Sequence, residues 1–216
     1  MGFAQTEYSS GFRKIGVGIG YNSNSVIGDS IRPLELSLRY RINDKHTFRV
    51  YTPIRLKRYK QQGIEVSYVE APFKDSKSTQ HLFGVGLMYD YAIHLKNDLY
   101  WIIGIGGDYQ MMQSDNFRNY PINNMDQILN RIEEWKIDYD TYNFYPLVGV
   151  RYAYNRFGIE AYYKLQCSML KIKESGFYND YDLDTNERWR SGSYDVPLRS
   201  NLLNQLTINI VLFYLF

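Results

Sequence analysis

Apolar and polar residues alternate at period two in eight segments, joined by connections that are short and long by turns. The composition is 17% aromatic, yet mean hydropathy is only −0.44. Together these features predict an all-β fold: an eight-stranded antiparallel up-and-down transmembrane β-barrel with long extracellular loops and one short loop helix. Period-two alternation marks a strand with one face in an apolar medium. An aromatic-rich chain of low hydropathy suits a barrel whose lipid-facing and interior residues cancel in the average.

The N-terminal segment, residues 1–10, precedes the barrel proper at 11–216. Its start, Met1-Gly2-Phe3-Ala4-Gln5, has the small residue that ends a secretory leader, with Gln5 as the expected first mature residue. The first strand is expected over Arg13 to Tyr21, with Ile15, Val17, Ile19 and Tyr21 on one face and Lys14 and three glycines on the other. The second, Leu34 to Ile42, sets Leu34, Leu36, Leu38, Tyr40 and Ile42 against Glu35, Ser37, Arg39 and Arg41. Asn43-Asp44-Lys45 is a tight turn. The third, His46 to Leu56, opposes Phe48, Val50, Ile54 and Leu56 to Arg49, Tyr51 and Arg55.

A long polar stretch leads to the fourth strand, Leu82 to Leu95, and Lys96-Asn97-Asp98 turns into the fifth, Leu99 to Tyr109. A second long stretch precedes the sixth, Tyr142 to Tyr154; Asn155-Arg156 turns into the seventh, Phe157 to Cys167. A third long stretch precedes the last strand, Leu206 to Phe216. Pro33, Pro53 and Pro146 are expected near the loop-side strand ends, where a missing N–H costs least. Aromatic residues cluster on the turn side, from Tyr40 and Phe48 to Trp101, Tyr154 and Tyr214, as a girdle at a membrane interface would.

The inward faces collect Glu35, Arg39, Arg41, Arg49, Asp90, Asp108, Arg151, Glu160 and Lys164. Buried charges must be paired. The expectation is a stapled polar core in which Glu35 and Glu160 bridge neighbouring cations, rather than a narrow ion path. Gly16, Gly18, Gly20, Gly84, Gly86, Gly104 and Gly106 lie inside strands, so they fail the strand–turn–helix context of a nucleotide loop. They are expected to make room for large Arg and Tyr side chains.

In the long stretches, Arg55, Lys57, Arg58 and Lys60 form a basic collar suited to lipopolysaccharide phosphates. Asn123 to Lys136 reads as an amphipathic helix, with Met125, Ile128, Leu129, Ile132 and Trp135 at helical spacing, able to cover the mouth or bind a partner. Asp180, Asp182, Asp184, Asn186 and Glu187 alternate as calcium ligands can, but the EF-hand pattern fails at Thr185 and Ser191. No metal or cofactor is expected. A formal charge of +2 without a basic block argues against nucleic acid.

The terminal aromatic residue, the loop layout and the alternation resemble the small outer-membrane barrels of the OmpA/OmpX/PorT-like kind. The resemblance implies a bacterial outer-membrane protein with both termini periplasmic, in contact with outer-membrane lipids and lipopolysaccharide. It also implies that Tyr214 and Phe216 belong to a sorting signal. Two barrel enzyme families, the lipid A deacylases and palmitoyltransferases, resemble this chain in architecture. The late strands have no His, and only His81, with Ser78 nearby, sits near a loop-side end. The function expected is therefore a non-enzymatic barrel, an accessory subunit of an envelope complex whose loops bind other outer-membrane proteins. A passive channel for ions or apolar solutes is the alternative, and a lipid A-modifying enzyme the second.

Overall fold

The computed structural model describes residues 15–22, 34–62, 75–124, 127–182, 185 and 187–216. The expected leader remnant, Lys14, Pro33, Met125, Asp184 and Asn186 lie outside the described residues. Eight antiparallel strands form a closed barrel in sequence order. They are β1 (Ile15–Asn22), β2 (Leu34–Arg41), β3 (His46–Gln62), β4 (Asp75–Lys96), β5 (Leu99–Asn124), β6 (Gln127–Tyr154), β7 (Phe157–Asp182) and β8 (Arg188–Leu215). β1 closes the ring on β8, from Gly16 opposite Leu215 to Asn22 opposite Asn209. In hydrocarbon each unpaired backbone group costs several kcal/mol, so a spanning sheet must have no edge.

Three tight turns join strands at one end. Asn97 and Asn155 take left-handed φ values of 54° and 52°, the conformation that short hairpins favour and Asn tolerates. The third turn is held by the Asn43 side chain, whose Oδ1 accepts the Lys45 and His46 N–H groups at 2.9 Å each. Each turn is tied to the next hairpin: Ala92 N donates to Lys45 O, Ala153 N to Asp98 O and Leu215 N to Arg156 O. Phe216 N donates to Ile15 O at 2.9 Å, which seals the seam.

Outward residues form an apolar band. On β6 it runs from Tyr142 through Phe144, Val148, Val150 and Tyr152 to Tyr154, all exposed; on β7 it runs from Phe157 to Met169. About 12 steps of ~3.3 Å, tilted by about 40°, span roughly 30 Å, the thickness of a bilayer's hydrocarbon core. At the turn end Tyr40, Phe48, Trp101, Tyr152, Tyr154 and Phe157 are exposed, and Tyr214 packs on Phe157 and Phe216 with ring centroids 5.0 and 5.2 Å apart. At the other rim the band gives way to Gln113, Asp140 and Lys171. There the Tyr109 hydroxyl donates to Asp140 at 2.6 Å, and Lys171 Nζ lies 5.5 Å from the Tyr142 ring.

Beyond that rim the structure departs from the expected loops. β5 and β6 run on as paired strands to the Asn124–Gln127 pair, and β7 and β8 to Tyr181–Arg188. The long stretches are therefore chiefly strand, and β3 to β8 rise as a six-strand wall. Among the described residues β1 reaches Asn22 and β2 begins at Leu34.

The described residues of the helix expected over Asn123–Lys136 are strand instead. Leu129 and Trp135 face inward while Ile132 faces outward, so the apparent stripe is split between faces. An isolated helix of that length is marginal in water, whereas each of these residues gains cross-strand partners on both sides, such as Ile132 with Asn119 and Asn179.

The prolines shift accordingly. Pro146 lies within β6, and the β6–β7 ladder skips from Phe144 to Leu147 around it. Pro53 interrupts the β3–β4 ladder in the same way; there Thr52 Oγ1 donates to Gly84 O at 2.6 Å. Both positions let the sheet omit a bond that proline cannot make.

Candidate functional site: a filled lumen below a raised wall

The lumen is organised around Glu160, fully buried on β7. Arg39 forks onto it from β2, Nη1 to Oε1 at 2.6 Å and Nη2 to Oε2 at 2.7 Å. Arg49 from β3 donates to Oε2 at 2.5 Å and Arg151 from β6 to Oε1 at 2.6 Å. Arg151 also donates to Asp90 at 2.5 Å, and Arg49 lies 3.7 Å from that carboxylate. Bidentate, charge-assisted bonds of this kind are the strong ones. They join five strands, β2, β3, β4, β6 and β7, across sequence separations of up to 121 residues. Arg39 also covers the Phe213 ring at 4.1 Å.

Towards the wall, Lys164 lies among Tyr51, Tyr145 and Tyr162, 4.8, 4.5 and 5.6 Å from their ring centres. It approaches Glu35 to 3.7 Å. The Tyr51 hydroxyl bonds Asp108 and the Tyr145 hydroxyl, while Gln110 and Asn143 donate to Asp108 at 2.7 and 2.6 Å. Arg39, Arg49, Arg151 and Lys164 are thus balanced by Glu35, Asp90, Asp108 and Glu160. Leu82, Met112 and Leu170, all inward and buried, follow above the polar section.

The strand glycines make room for this filling. A Cβ on Gly86 would meet the Tyr51 ring, on Gly106 the Tyr145 ring and on Gly158 the Phe213 ring. A chain of large buried side chains therefore needs glycine on the facing strand, as the sequence suggested.

Of the other expected residues, Arg41 sits at the turn end, 3.4 Å from Asp44. Arg55 is buried inside, donating to Gln80 at 2.6 Å, so it does not join an outer collar. Arg58 is exposed on the outward face. The side chains of Lys57, Lys60 and Ile128 lie outside the described part. His81 and Ser78 stand on opposite faces of β4 and do not pair.

The wall carries a second ion cluster that the sequence did not announce. Asp180, buried on β7, accepts Arg131 Nε at 2.7 Å and Nη2 at 3.0 Å, and Arg190 Nε at 2.5 Å. The carboxylate suggested as a calcium ligand is thus occupied by two guanidiniums. Burial would raise its pKa, but the bonds from Arg131 and Arg190 outweigh that and hold it below the ordinary carboxylate range. Arg131 covers the Tyr178 ring at 4.4 Å, and Arg118 lies 5.3 Å from Trp135. Across β5 to β8 a cleft of about 450 Å³ is bordered by Asp115, Glu134, Lys136, Phe177 and Asp195. The signal for this region was alternation without hydropathic contrast, because both faces are polar.

No family model matches the chain, and no curated protein matches it. Among solved structures it is similar to a major outer membrane protein from Thermus thermophilus, at 9% identity and TM-score 0.44, covering 93% of this chain and 99% of that one. It is also similar to the outer membrane protease OmpT from Escherichia coli, at 9% identity and TM-score 0.44, covering 94% of each. Neisserial surface protein A shares 17% identity at TM-score 0.30, over 94% of this chain and 95% of that one. The likeness is confined to barrel form. Ring closure, a lipid-facing band of bilayer height and a polar, filled lumen make this chain an eight-stranded transmembrane β-barrel.

Proposed function

We propose that the barrel is a non-enzymatic anchor, an accessory subunit of an envelope complex that engages another protein through its wall. The observation that carries this reading is the division of the molecule. The lumen is filled by an ion-paired network, while roughly half of each strand from β5 to β8 stands clear of the lipid band. Large side chains bonded to one another leave little room for solute. A stiff sheet in water, rich in Tyr, Trp and Arg, has the composition of recognition surfaces.

The short turns support a periplasmic position for that end and for the described termini, with the wall outside the cell. Arg58 and Lys171 point outward at and just above the band's upper rim, where charge-assisted bonds to lipopolysaccharide phosphates fit best.

Purification from outer membranes in mild detergent tests the reading. Wild type is expected to elute with a stoichiometric protein partner. A variant with Gln113–Asp138 replaced by an Asn-Gly turn is expected to fold and elute alone. A strictly monomeric wild type would sink the proposal.

A further inference from the structure

The cleft across β5 to β8 lies on the outward face of the wall, clear of the lipid. Ser175 and Phe177 continue the outward parity of β7 past Met169. The register sets Ser175 between Lys136 and Asp195, and Phe177 between Glu134 and Ser193. Trp135, Gly176 and Tyr194 belong to the inner face, so they give the cleft a floor of backbone. Ser175 and Ser193 are too short to fill the space above it. The resulting volume of about 450 Å³ falls within the roughly 300–1,000 Å³ of sites that hold ligands. Phe177 stands eight residues beyond Met169. At ~3.3 Å per residue and a tilt of about 40°, that places it roughly 20 Å above the lipid band.

Both the ring and the charges of this cleft lack counterparts. Phe177 is 46% exposed to water. Phe117, in the same cross-strand row, is covered by Lys77 Nζ at 5.5 Å, whereas no cation among the described residues covers Phe177. Three carboxylates, of Asp115, Glu134 and Asp195, border the cleft against the one ammonium of Lys136. Lys136 turns to Asp138 at 3.4 Å, and Asp115 accepts the Gln113 amide at 3.2 and 3.4 Å. Glu134 and Asp195 are exposed and have no side-chain hydrogen bond or ion pair among the described residues. They stand on β6 and β8, roughly 10 Å apart across β7. A cation seated over β7 therefore has a carboxylate on each side and the Phe177 ring beside it.

We infer that this cleft receives an arginine side chain from a basic segment of the partner protein. This rests on the partner-binding reading above and specifies its place and chemistry. A guanidinium is flat, stacks on an aromatic face and donates in a fork to carboxylates. It can thus meet Phe177, Glu134 and Asp195 together, where a compact ammonium meets one of them at a time. Further basic residues of the segment face Asp115 and the acids beside it. Lipopolysaccharide phosphates carry the wrong sign for three carboxylates, and acyl chains do not reach this height.

The test places a photoreactive amino acid in cells at Ser191, which faces outward beside Ser193, with exposed Arg199 on the inner face as control. The measurement maps the cross-linked residues. The expected product is one segment of a second protein, rich in arginine, with none from Arg199. Glu134→Gln/Asp195→Asn is expected to lower its yield about tenfold while the barrel still migrates as folded. Phe177→Leu is expected to lower it less. Glu134→Lys/Asp195→Lys is expected to abolish it, and replacing the mapped arginine by glutamate in the partner to restore it. A chelator of divalent cations is expected to leave the wild-type yield unchanged.

Cross-links only to lipopolysaccharide, to a second copy of this chain, or to segments without basic residues would overturn the assignment, as would a product lost to the chelator. If the complex survives detergent while Glu134→Lys/Asp195→Lys leaves it intact, the cleft is not the site and the partner-binding reading stands. If no complex exists, both fail.

Discussion

Within the lipid band all eight strands are present, every backbone edge is paired and the interior is filled. Above the band β3 to β8 continue as paired strands with polar residues on both faces. The difference follows the solvent. Hydrocarbon forbids an unpaired backbone group, whereas water satisfies one at little cost. The lower half is therefore constrained to closure, whereas water relaxes that constraint above it.

The contrast can be broken most severely at Glu160. Glu160→Gln leaves three buried guanidiniums with one remaining carboxylate, and breaking a buried pair costs roughly 3–5 kcal/mol. Urea unfolding in lipid vesicles is expected to show a loss of that order, with the wall's local exchange following the barrel. A loss below about 1 kcal/mol would mean that the knot is not what holds the lower half.

Gly106→Ala is expected to cost less, about 1–3 kcal/mol, because a Cβ there overlaps the Tyr145 ring. Shortening the facing residue in Gly106→Ala/Tyr145→Leu is expected to recover part of that loss. An additive double variant would separate the two positions.

The wall is expected to respond locally. Asp180 has its pKa depressed in the folded protein. Its contribution is present above the unfolded value of about 3.9 and is lost as pH falls through the lower, folded value. Hydrogen-exchange protection at Arg131, Asp180 and Arg190, taken relative to the intrinsic rate at each pH, should stay constant from pH 7 to 5 and fall in stronger acid. Asp180→Asn should show the faster exchange already at pH 7, with the barrel's unfolding midpoint unchanged. The smallest effect is expected from Arg58→Gln, a modest loss of binding to lipopolysaccharide-containing vesicles with stability unaltered.

The lower half was legible because one face meets lipid: Phe144, Val148, Val150 and Tyr152 against Asn143, Leu147, Gly149 and Arg151 is a pattern that hydropathy resolves. Glu35 and Glu160 could be named as bridging carboxylates, since buried charge needs a partner. Which arginines would reach Glu160 depended on register and was not legible. The upper half gave no contrast between faces, so Leu129, Ile132 and Trp135 imitated a helix. What decides their conformation is a partner strand dozens of residues away: Arg131 meets Asp180.

The central claim is that the lumen is closed and the work lies in the wall. Purified protein in a planar lipid bilayer at neutral pH is the most direct test. The expected trace is indistinguishable from bare lipid. Reproducible single-channel steps from the folded barrel would contradict it.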